Sequence, residues 1–104
     1  MTIPTPQYGG PPIHPGESLK DDLDALGLSM NKFSAAIGVP TNRIAEIVRG
    51  RRAITADTAL RLAAFFGTTA EFWLGLQTAY DLRKAEIEHG EEIKATVKPC
   101  KQAA

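Results

Sequence analysis

The stretch FSAAIGVPTNRIAEIVRGRR, residues 33–52, decides how the rest of the chain is read. Its apolar residues recur at helical spacing, and Gly38 and Gly50 punctuate it. The spacing predicts two short helices joined through IGVPT. The first runs from about Met30 to Ile37, capped by Ser29, with Met30, Phe33 and Ile37 on its core face. The second runs from about Thr41 to Arg49, with Pro40 at its start and Ile44, Ile47 and Val48 on its buried face. Thr41, Asn42, Arg43, Ala45, Glu46 and Arg49 are left outside. Each joint has the residue a helix-turn-helix needs. Small Ser34 sits where the helices cross, Gly38 tolerates positive φ in the turn, and Val39 follows to plug the angle.

Working outward, helical punctuation continues on both sides. Leu19, Leu23 and Leu26 form one apolar stripe over about Gly16 to Leu26, and Gly27 stops that helix. Thr55 can cap a helix reaching about Phe66, with Ala59, Leu62, Ala63 and Phe66 on one side and Gly67 as its stop. Thr68 and Thr69 are equal candidates to cap the last helix, about Ala70 to Glu88. Its apolar residues cover more than one narrow stripe. One face can pack on the other helices, and the remainder, with Trp73, Leu76 and Tyr80, is the expected dimer contact. No strand pattern, repeat or low-complexity run appears. The expected fold is all-α with five helices. Residues 1–12, with four prolines and Gly9-Gly10, read as a flexible arm, 13–88 as the domain and 89–104 as a tail.

A chain of 104 residues fits one domain with a modest core. No apolar run approaches the roughly 18 residues of a membrane span, and residues 1–12 lack the basic and apolar regions of a signal peptide. Cys100 is the single cysteine, so no intramolecular disulfide forms. The expectation is a cytoplasmic protein without a metal or cofactor. No phosphate-binding glycine loop or zinc-protease string occurs, His14 before Pro15-Gly16 reads as a helix cap, and Asp21, Asp22 and Asp24 read as a solvated face.

Formal net charge is zero, but its distribution is not even. From Ser29 to Arg61 six cations (Lys32, Arg43, Arg49, Arg51, Arg52, Arg61) face two acids. Acidic segments flank this block on both sides. A basic patch between acidic flanks fits polyanion binding on one surface. In a helix-turn-helix the N-terminal half of the second helix enters the major groove. Thr41, Asn42, Arg43 and Glu46 are then the base readers. Lys32, Arg49, Arg51 and Arg52 are placed to hold phosphates, which fixes register without reading sequence. The alternative is that these arginines satisfy helix-end carbonyls in a protein-interaction module that never touches DNA.

Three runs carry a family resemblance: HPGESLKDDL (His14 to Leu23), GVPTNRIAEIVRGRRAITADTALRLAAFFGT (Gly38 to Thr68) and EFWLGLQTAYDLR (Glu71 to Arg83). Together they resemble the HigA-type antitoxins of the XRE, or lambda-repressor-like, family. The resemblance implies a five-helix lambda-repressor-like domain that binds a palindromic operator as a homodimer and represses its own operon. It implies a partner too, a HigB-type toxin that is a small RelE-like ribonuclease cutting messenger RNA. The family's DNA-reading positions fall on Thr41, Asn42 and Arg43, and its phosphate-holding positions on Arg49 and Arg51, with Arg52 adjacent. Ser34 departs from the family's usual alanine. A stand-alone regulator without a toxin is the other member-type the resemblance allows.

Overall fold

The computed structural model describes residues 10–101. It contains α1 (Pro15–Leu26), α2 (Met30–Ile37), α3 (Thr41–Val48), α4 (Ala56–Phe66) and α5 (Ala70–Thr96), with no strand among the described residues. The fold is all-α with five helices, as expected. Residues 1–9 of the expected arm lie outside the described residues. Gly10 lies against α5, where its carbonyl accepts a 3.2 Å bond from Arg83 Nε.

Helix starts follow local capping chemistry. Ser29 Oγ accepts from the Lys32 amide at 3.2 Å, and Thr55 Oγ1 accepts from the Thr58 amide at 3.4 Å. The two threonines before α5 divide their work. Thr69 Oγ1 caps the Phe72 amide at 3.1 Å, and Thr68 Oγ1 accepts a 2.9 Å bond from Trp73 Nε1. Sequence left both open as caps because each has a suitable hydroxyl; the indole N–H separates them.

Leu19, Leu23, Phe33, Ile37, Val39, Ile44, Ile47, Ile54, Leu62 and Trp73 form one buried cluster that every helix enters. Burying a Phe33-sized side chain fully is worth roughly 1.5–3 kcal/mol, so this cluster is the fold's main support. Phe66 lies between Phe33 and Trp73, with ring centroids 5.7 and 5.6 Å away. Ile54 comes from the loop before α4. Its buried amide donates to Gln77 Oε1 at 2.8 Å, and Gln77 Nε2 donates to Asp81 at 2.9 Å, which ties that loop to α5.

Five expectations change. Leu26, at the end of the expected α1 stripe, is exposed, and only Leu19 and Leu23 of the three enter the core. Trp73 is only 1% exposed within its own protomer, so it has no surface left for a second chain. Its bulk and its satisfied N–H make it the core anchor of α5 instead. Ala45 is buried and Val48 half-buried, the reverse of the expected order. Helix α3 faces α1 as well as α2, which rotates its covered arc towards Ala45. Arg49 is the cap of α3 rather than its last residue. Finally, α5 runs to Thr96 rather than Glu88, taking in much of the expected tail. Half of its extension, residues 89–96, is Glu, Lys or Ala, and one glycine costs a helix only about 1 kcal/mol. It stops shortly before Pro99, which disfavours helix in the residue ahead of it.

Candidate nucleic-acid interface

Ile44 and Ile47, both fully buried, fix the roll of α3 against the core. That roll leaves Asn42 exposed and Thr41, Arg43 and Glu46 half-exposed on the outer side. Of the five helices α3 alone starts without a side-chain cap, because Pro40 has no polar side chain. Among the described residues no side-chain cap takes a donor of its first turn; the Arg43 amide donates to the Pro40 carbonyl at 3.0 Å, and the positive end of the helix dipole lies at this end. Glu46 is partly turned inward. Its Oε2 is covered and has no hydrogen-bond partner among the described residues.

The loop after α3 presents the arginines. Gly50 adopts φ 74°, and its amide donates to the Ile47 carbonyl at 3.0 Å. The Arg51 amide donates to the Glu46 carbonyl at 2.9 Å. This closes the helix end and sends the chain outward, so Arg49, Arg51 and Arg52 are all exposed. Lys32, on α2, is exposed as well. Sequence expected these four cations and the outer residues of α3 on one surface. The structure leaves all eight side chains at least partly open, with Glu46 the least free.

His14 supports that loop from beneath. Its Nδ1 accepts from the Gly16 amide at 2.9 Å, capping α1 as expected. A side chain at Gly50 would meet its ring at 3.7 Å, and Tyr80 of α5 packs edge-on with centroids 4.8 Å apart. Burial lowers its pKa below the usual histidine value; the Arg52 backbone and the charges of Asp81 and Glu17 pull the other way. The neutral ring, with Nδ1 as acceptor, joins α1, the arginine loop and α5.

Two residues that sequence counted only as charges shape the same surface. Asp57 Oδ2 lies 3.7 Å from Arg43 Nη1 and 2.9 Å from Arg61 Nε. Arg61 Nη1 donates to the Ile37 carbonyl at 2.8 Å and the Gly38 carbonyl at 3.3 Å, at the turn itself. The Asp57–Arg61 spacing of four was the available signal. The link to Arg43 was not legible, since it crosses from α4 to α3. Among the described residues no group of three or more His, Cys, Asp or Glu side chains is arranged to hold a metal, and no helix is long and apolar enough to cross a membrane.

Comparison with known proteins identifies the family. Residues 19–73 match the helix-turn-helix family. The chain is 51% identical to the structure of an addiction module antidote protein of a HigA family from Coxiella burnetii. That likeness covers 88% of this chain and 100% of the other, with a TM-score of 0.86. This chain belongs to the HigA-type antitoxins of the XRE helix-turn-helix family. Another similar structure is Pseudomonas aeruginosa antitoxin HigA with the higBA promoter, at 39% identity and TM-score 0.82, covering 85% of this chain and 97% of that one. Virulence-associated protein I of Dichelobacter nodosus is 52% identical over 87 residues, 83% of this chain and 81% of that protein. A HigA-type member is a DNA-binding regulator, and the two-helix unit that sequence singled out lies within the matched helix-turn-helix segment.

Proposed function

We propose that this HigA-type protein represses its own operon in the cytoplasm. It acts as a homodimer that seats α3 of each subunit in the major groove of a palindromic operator, and it neutralises a HigB-type, RelE-like messenger-RNA-cleaving toxin. The observation that carries the DNA reading is the open end of α3, with Asn42 and Arg43 accessible and Arg49, Arg51 and Arg52 exposed beyond it. Thr41, Asn42, Arg43 and Glu46 read base edges. Lys32, Arg49, Arg51 and Arg52 hold phosphates. The similar P. aeruginosa protein stands with its promoter, which favours DNA over a protein-only role for this surface.

Dimerisation places Leu76 and Tyr80, half-buried on α5, beside exposed Phe72 and Leu82 at the contact between copies. Half-sites then lie about 10 bp or a multiple apart on one DNA face. Sedimentation of the chain with and without operator tests the dimer, and a strict monomer in both conditions ends that part. The toxin reading is tested by co-expression with the adjacent reading frame. Co-purification and rescue of growth support it, whereas a neighbour that neither binds nor poisons the cell leaves a stand-alone regulator.

A further inference from the structure

We propose that Asp57 is a positioning residue for DNA readout: it holds Arg43 over the reading face until a correct base edge replaces it. The inference rests on the reading of α3 as the base-reading helix. One carboxylate oxygen serves two guanidinium groups. The contact to Arg61 is short, 2.9 Å, and the contact to Arg43 is loose, 3.7 Å. Arg61 is itself fastened to the carbonyls of Ile37 and Gly38. A continuous chain therefore runs from the helix-turn-helix turn through Arg61 and Asp57 to Arg43.

The unequal lengths give the two ends different roles. Arg61 fixes Asp57 to the body, because a cation at the end of α2 satisfies open carbonyls there. Asp57 restrains Arg43 without sealing it in. An arginine carries much rotamer freedom, and a partner that limits its guanidinium in advance lowers the cost of ordering it on a base. Side-chain exposures of 61% for Asp57 and 33% for Arg43 leave the pair too solvated to matter much to folding. The acid has a second effect. It puts a negative charge beside the surface that meets DNA, which weakens binding to any duplex. Only a site that offers Arg43 a good acceptor compensates for the lost ion pair. Specificity of this kind comes from disfavouring wrong partners as well as from favouring the right one.

The signature has two signs. Asp57→Asn keeps the size and an oxygen for Arg61 but removes the charge. It should tighten binding to a scrambled duplex and lower the operator-to-scrambled affinity ratio about threefold, the scale of one partly exposed ion pair. Asp57→Glu, which keeps the charge, should lose less of that ratio. In an Arg43→Ala background, Asp57→Asn should leave the ratio unchanged. All variants are compared by fluorescence anisotropy at one salt concentration, with melting curves to confirm equal folding. The proposal is overturned if Asp57→Asn shifts both duplexes by the same factor, or if the ratio falls as far without Arg43 as with it. A ratio that drops in Arg43→Ala but not in Asp57→Asn sinks this inference alone. A ratio untouched by Arg43→Ala sinks the base-reading assignment with it.

Discussion

Two helical glycines should respond to the same substitution with opposite signs. Alanine is ordinarily the better helix residue by roughly 0.5–1 kcal/mol. Gly75 in α5 has nothing within 4 Å of the place a Cβ would occupy, so Gly75→Ala should show that gain. Gly16 in the first turn of α1 faces the end of α3 closely. A Cβ there would overlap the Ile47 carbonyl oxygen, stand 2.8 Å from its carbon and 3.0 Å from His14 Nδ1. The obstacle is backbone, so no rotamer change relieves it. The Ile47 carbonyl also accepts the Gly50 amide that shapes the arginine loop, so a shift there propagates to Arg49, Arg51 and Arg52. Overpacking typically costs about 1–3 kcal/mol, and a backbone obstacle belongs at the upper end, leaving a net loss of about 2 kcal/mol. For a domain of this size that lowers Tm by about 8–16 °C, while Gly75→Ala raises it by a few degrees. Calorimetry at one fixed protein concentration measures both, since dimerisation makes Tm depend on concentration. A rise in Tm for Gly16→Ala matching that of Gly75→Ala would refute the close α1–α3 approach.

Ser34 is 1% exposed, and its hydroxyl has no partner among the described residues, so Ser34→Ala should stabilise the fold by about 1 kcal/mol, read from denaturant midpoints. Gln77→Ala strips the buried Ile54 amide of its acceptor and should cost about 1–3 kcal/mol in the same assay. Burial holds His14 neutral in the folded chain, so below pH about 6.5 the unfolded chain binds a proton that the native chain refuses. Stability should therefore fall as pH drops through that value and level off below the folded pKa. His14→Asn, which still offers a cap oxygen, should flatten that part of the curve. Arg51→Ala should weaken binding to all duplexes alike and lower the salt slope by about 0.9, as one lost phosphate contact requires.

The helices were legible because their signals are local. Ser29, Thr55 and the stop glycines act within a turn of themselves, and Phe33, Ile44 and Ile47 repeat at helical spacing. The misreadings turn on tertiary partners that helical spacing does not encode, some near in sequence and some far. Trp73 looked like surface because its helix has apolar residues on several sides; packing against Phe66 and the hydroxyl of Thr68 put it inside. Ile54 lies outside every expected helix, and its amide bond to Gln77, 23 residues on, accompanies its place in the core. Ala45 and Val48 exchanged burial because α3 touches α1, whose position no α3 residue encodes. At the interface, Arg49, Arg51 and Arg52 could be read from sequence as a cluster. The link from Arg43 to Asp57 could not, since it joins α3 to α4 by side-chain length alone.

The central claim is that the outer end of α3 reads base edges. Its most direct test is the affinity ratio between the chain's own operator and a scrambled duplex of equal length, measured at one salt concentration. For the unaltered chain that ratio should reach about 1,000 or more. In Asn42→Ala/Arg43→Ala, folded as well as the parent, it should fall by at least about tenfold, as the loss of base contacts requires. An unchanged ratio in the double variant would contradict the account.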